Sequence, residues 1–78
     1  MKISITDICS LVARALEVDS SIITAETKAS EVELWDSLGQ ISILSEIDKM
    51  FDGVTERCPA LASANSVREI FDALYDAV

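Results

Sequence analysis

The sequence predicts an all-α fold, a bundle of three full helices and one short one with a long first loop. Three observations carry that expectation. Apolar residues recur at three- and four-residue spacing in three separate segments. A serine or an aspartate stands where each segment begins. Half of the 78 residues are hydrophobic, against two glycines and one proline, which suits a packed helical domain better than a loop-rich or disordered chain. A chain of this length makes one domain, taken to span residues 1–78.

The first helix is expected from about Ser4 to Val18, with Ile5, Ile8, Val12 and Leu16 on one face and Ser4 and Asp7 forming its cap. The periodicity then lapses from Asp19 to Asp36. A connection beyond ~12–15 residues in a small domain is usually functional or disordered. Here Ile22, Ile23, Val32 and Leu34 are apolar enough to pin it, so an ordered loop is expected.

The second helix is predicted over Ser37 to Phe51, with Asp36 as its N-cap. Leu38, Ile41, Leu44, Ile47 and Phe51 form its expected core stripe, broadened by Ile43 and Met50. Asp52-Gly53 should end it, because glycine readily takes the left-handed cap conformation. Thr55 to Leu61 is read as one short turn of helix, with Pro59 admissible only in a first turn. The last helix opens on Ser66-Val67-Arg68-Glu69, a capping-box pattern, and continues with Ile70, Phe71 and Leu74 at helical spacing.

Charge and composition narrow the function. The formal net charge is −8, from 14 acidic and 6 basic residues. Such a chain repels nucleic acid and anionic membrane surfaces and is attracted to proteins with basic docking patches. With no histidine, the usual general base and the commonest metal ligand are missing. Neither a catalytic residue nor a metal site is expected, and the chain is not read as an enzyme. Cys9 and Cys58 match no zinc or redox spacing, and Cys9 reads as a small core hydrophobe. The N-terminal segment meets Thr6, Asp7, Ser10 and Arg14 before any long apolar run, so neither a signal peptide nor a membrane span is expected, and a cytoplasmic monomer follows.

The informative stretch is Trp35-Asp36-Ser37-Leu38-Gly39-Gln40-Ile41, where the long loop meets the second helix. A serine one residue past an N-cap sits at the positive end of a helix, where a phosphodiester meets free backbone N–H groups and a favourable dipole. As a bare tripeptide, Asp-Ser-Leu is a weak signal and equally a good helix start. Its context is more specific. Asp36-Ser37-Leu38 opens a second helix after a helix and a long loop, an aliphatic run through Ile41, Ile43, Leu44 and Ile47 ends in Phe51, and a short and then a closing helix follow. In these features, and over essentially its whole length, the chain resembles the acyl carrier proteins.

The resemblance implies a four-helix acyl-carrier bundle with a short third helix. It implies that Ser37, flanked by Asp36 and Leu38, accepts 4′-phosphopantetheine from coenzyme A through a separate phosphopantetheinyl transferase. The arm then carries acyl groups as thioesters, delivered by activating ligases or synthases. A lone serine without a base is a poor nucleophile, so Ser37 should catalyse nothing itself. An aminoacyl carrier of the D-alanyl type shares the same serine, and a helical module that only binds is a third reading.

Some positions depart from the pattern of fatty-acid synthase carriers. Leu34 stands where those have glycine and Trp35 where they have a small residue. Gly39, Ser42, Lys49 and Met50 leave Asp48 as the one acid of their usual docking face. The departures point to a specialised lipid, polyketide-like or secondary-metabolite pathway. Trp35 is read as a loop anchor packed on the helices, with a wall beside the arm as the second reading. Ile43, Ile47, Leu61, Val67 and Ile70 are expected to line a cleft able to admit an acyl chain.

Overall fold

Helix α1 (Ile5–Leu16) begins on a full capping box: Ser4 Oγ accepts the Asp7 N–H at 3.1 Å and the Asp7 carboxylate accepts the Ser4 N–H at 3.3 Å. It ends two residues before the expected Val18, because Glu17 turns left-handed at φ 57°. The computed structural model, which describes residues 3–77, is all-α among those residues, with no β-strand. Beyond α1 it contains α2 (Ser37–Phe51), the short helices α3 (Val54–Arg57) and α4 (Ala60–Ser63), and α5 (Val67–Ala77).

The segment expected as one short helix is thus two. Pro59 has no N–H to donate and biases the residue before it away from helical geometry. Cys58 accordingly takes φ −134° and ψ 80°, and α4 starts afresh from Pro59. The α2–α3 junction is tight. Asp52 and Gly53 are both left-handed, at φ 53° and 75°. Asp48 reaches from the last turns of α2 to receive the Thr55 N–H at 3.0 Å and the Thr55 hydroxyl at 2.8 Å.

The long loop is ordered by hydrogen bonds more than by its own apolar residues. Two 3₁₀ turns, Ser20–Ile22 and Ala29–Glu31, organise it. Between them the loop lies against the start of α5, where Ala29 N–H meets the Asn65 carbonyl at 2.7 Å and Val67 N–H meets the Thr27 carbonyl at 3.0 Å. Thr27 is buried, and its Oγ1 accepts the Thr24 N–H at 2.8 Å. Of the four residues expected to pin the loop, Ile23 is buried and Val32 partly so, whereas Ile22 and Leu34 are more than half exposed. Trp35, 6% exposed, is the main apolar anchor.

The core lies where α1 packs on α2 and α5, with α4 closing one side. The largest correction falls on α2. Its buried residues are Gly39, Ile43 and Ile47. Leu44 and Phe51 pack partly against them, but Leu38, Ile41 and Met50, expected in the stripe, are 75%, 62% and 50% exposed. The helix is apolar on two sides, so spacing alone did not choose the inward one. This register is tested by paired truncations. Ile43→Ala should lower unfolding free energy by ~2–5 kcal/mol, and Ile41→Ala by no more than ~0.5 kcal/mol, in chemical denaturation. Comparable losses at both positions would refute the orientation of α2.

Candidate functional site

Ser37 is the first residue of α2 and is exposed. Asp36 prepares the position. Its backbone is extended, its Oδ1 accepts the Gly39 N–H at 2.9 Å, and its carbonyl accepts the Gln40 N–H at 2.8 Å. Among the described residues, the N–H groups of Ser37 and Leu38 and the Ser37 hydroxyl have no hydrogen-bond partner. The helix therefore offers two free donors and the positive end of its dipole beside an accessible hydroxyl. Asp36 caps the helix, Ser37 opens it, and Leu38 is 75% exposed.

The rotation of α2 that exposes Ser37 is fixed from below. A Cβ placed on Gly39 would overlap the Leu34 carbonyl oxygen and come within 2.8 Å of Leu16 Cδ2. Only glycine lets the loop backbone press this closely on the first turn of the helix. With Gly39, Ile43 and Ile47 turned inward, helical periodicity sends Ser37, Leu38, Ile41, Ser42, Ser45 and Lys49 outward, and all six are exposed. Gly39 is thus a packing requirement as well as a missing acid.

Gln40 was not singled out by sequence, and it joins three elements. Trp35 Nε1 donates to Gln40 Oε1 at 2.7 Å. Gln40 Nε2 donates to the carbonyls of Leu61 at 3.2 Å and Ala64 at 3.0 Å, and at 3.4 Å to that of Ala62. The loop, α2 and the C-terminal end of α4 are tied through one amide, which supplements the Ala64 N–H at the Leu61 carbonyl and also serves the carbonyls of Ala62 and Ala64. No residue type at this spacing announces such a bridge, since its partners are backbone oxygens 21 to 24 residues away.

Trp35 and Gln40 line one side of a shallow groove of ≈ 460 Å³ beside Ser37, completed by Ile41 and by residues 62–65. Trp35 accordingly both anchors the loop and borders the space next to the serine. The cleft expected among Ile43, Ile47, Leu61, Val67 and Ile70 is closed, each of these residues being at most 1% exposed. They fill the core against one another and leave the groove outside it.

The charges on α2 are largely engaged. Asp48 is bonded to Thr55. Glu46 pairs with Arg14 of α1 at 3.1 Å and lies 3.5 Å from Lys49. The Arg14 guanidinium, hydrogen-bonded to the Glu46 carboxylate, holds it below its ordinary titration range, and Lys49 adds to the effect. Beside Ser37 the outer face is instead apolar, through Leu34, Leu38 and Ile41. Cys9 and Cys58 are both free thiols, and burial pushes the Cys9 thiol up, away from reactivity.

Among the described residues, no group of side chains is arranged to hold a metal ion, and no helix is long and apolar enough to cross a membrane. Comparison with protein-family models, with curated proteins and with solved structures gives no match.

Two measurements check this geometry. An ordinary exposed helix gains ~0.5–1 kcal/mol from Gly→Ala. Gly39→Ala should instead lose ~1–3 kcal/mol through overpacking against Leu34 and Leu16, and a stabilised variant would refute the close approach. The second concerns pH. A carboxylate whose pKa is lower folded than unfolded stabilises above its unfolded value, and that stability fades as pH falls through the folded one. The Arg14→Gln/Glu46→Gln double-mutant cycle should therefore show favourable coupling at neutral pH that disappears below the ordinary carboxylate pKa of ~4.3. Coupling that survives in acid would mean that the contact is not ionic.

Proposed function

We propose that this chain is a carrier protein of the acyl-carrier type, with Ser37 as the attachment point of a 4′-phosphopantetheine arm. The observation that carries the reading is an exposed, unbonded serine hydroxyl at the first position of α2. It lies directly after an aspartate N-cap and beside two free backbone N–H groups. The order of elements supports it: a first helix, a long ordered loop, the serine-bearing helix, two short turns and a closing helix.

The residues present suit such a group. A phosphodiester at Ser37 Oγ faces the free N–H groups of Ser37 and Leu38 and the helix dipole. Asp36, already engaged with Gly39, holds the helix start in place. In loading, Ser37 Oγ forms the new P–O bond to the pantetheine-bearing phosphorus of coenzyme A. The pyrophosphate bond breaks, 3′,5′-ADP leaves, and the hydroxyl proton passes to a base on the transferase, since this chain has no histidine to take it. When bound, the arm supplies a terminal thiol that holds cargo as a thioester. Leu38, Ile41 and Leu34 form the apolar part of the surface presented to partner enzymes, and the net charge of −8 favours partners whose docking patches are basic. The departures around Leu34, Trp35 and Gly39 favour a specialised pathway over housekeeping fatty-acid synthesis.

The test is direct. Incubation with coenzyme A, magnesium and a broad-specificity phosphopantetheinyl transferase should add one arm by intact-protein mass, and Ser37→Ala should abolish the addition. Continued modification of the alanine variant, or a parent chain left unmodified by several transferases, would overturn the proposal.

A further inference from the structure

Gln40 and its hydrogen bonds lie where the groove beside Ser37 meets the apolar core. Gln40 borders the groove, and its amide is bonded to the Leu61 carbonyl, whose own side chain is fully buried in the core. On the other side the amide oxygen holds Trp35, itself part of the core. A chain tethered at Ser37 that passed from the groove toward Ile43, Ile47 and Leu61 would have to part α2 from α4. To do so it would break the bonds from Gln40 to Trp35, Leu61 and Ala64 together. The indole N–H of the buried Trp35 has Gln40 as its partner and would lose it, whereas the Leu61 carbonyl would keep the Ala64 N–H.

We propose that Gln40 is a specificity-determining latch: by bonding Trp35 to the end of α4, it shuts the core against whatever Ser37 carries and keeps the cargo in the surface groove. The inference rests on the carrier reading for the identity of the tether and deepens it by indicating the cargo class. A closed core gives long acyl chains no shelter, whereas short or polar acyl and aminoacyl groups require none. The groove beside the tether, bordered by Trp35, Gln40 and Ile41, leaves the arm a place to lie outside the core.

The latch is tested without any transferase. In the full chain carrying Cys9→Ala and Cys58→Ala, Ser37→Cys is coupled to methyl or decyl methanethiosulfonate. The thiolate attacks the reagent's divalent sulfur, a mixed disulfide forms and methanesulfinate leaves, and intact mass confirms a single adduct. We expect the methyl and decyl adducts to melt at the same temperature. The methyl NMR signals of Ile43, Ile47, Leu61, Val67 and Ile70 should coincide in the two forms. Adding Gln40→Ala should change this, so that the decyl adduct melts at least ~4 °C above the methyl adduct and the core methyl signals shift. A decyl chain that already moves the core signals in the presence of Gln40 would overturn the proposal, as would a folded Gln40→Ala variant that still excludes it. If Gln40→Ala does not fold, Gln40→Met is used with the same two outcomes. Because the alkyl group is attached chemically, failure of the carrier reading would register only in the mass experiment on Ser37 and would leave this result standing.

Discussion

The Leu34 carbonyl pressed against Gly39 is the contact on which the rest of the molecule's business end depends. A helix with large apolar residues on its outer face as well as its inner one has a weakened preference for its own rotation, and α2 exposes Leu38 and Ile41 among serines while burying Ile43 and Ile47. The hydrophobic effect is non-directional and would accept either face. A backbone oxygen seated where a Cβ would otherwise stand is directional, because only one rotation of α2 brings the glycine beneath the loop. Once Gly39 faces inward, the 100° step of the helix places Ser37 outward two residues earlier. Presentation of the serine is therefore set by a residue with no side chain.

Trp35 and Gln40 extend that constraint across the molecule. The indole is buried in the core, while its one polar atom meets Gln40, whose amide nitrogen serves the end of α4. A buried indole N–H without a partner would weaken the anchor, and so would unpaired carbonyls at the end of a helix only four residues long. One glutamine meets both needs. Networks of this kind couple their members, so the loop before Ser37 and the short helix opposite it should hold or loosen as a unit.

Much of this was legible in the sequence where the physics is local. Ser4 with Asp7, Asp36 before Ser37 and Ser66 with Glu69 marked the helix starts correctly, because capping links residues three apart. The start and end of α2 followed from Asp36 and from Asp52-Gly53 for the same reason. What failed was non-local. The inward face of α2 was set by a loop carbonyl, the loop was pinned by backbone pairing between Thr27–Ala29 and Asn65–Val67, and Gln40 found its partners on α4. None of these leaves a periodic trace. Pro59 does leave a trace, and it splits the middle segment into α3 and α4 where the spacing predicts a single turn. The place of Ser37 at the head of α2 was thus readable, and the surface around it was not.

The apolar surface around Ser37 and the acidity of the whole chain are best understood together. Leu38, Ile41 and Leu34 on one small domain invite self-association. A net charge of −8 opposes it, because two copies brought face to face repel across every approach. A partner of opposite charge meets no such barrier. It is drawn in by the field and then gains the buried apolar contact that a second copy is denied. Further along α2 the acids are already engaged, Glu46 with Arg14 and Asp48 with Thr55. On the proposed carrier reading, selection of partners divides into a long-range part carried by total charge and a short-range part carried by three aliphatic side chains. The short-range part lies beside the exposed hydroxyl of Ser37.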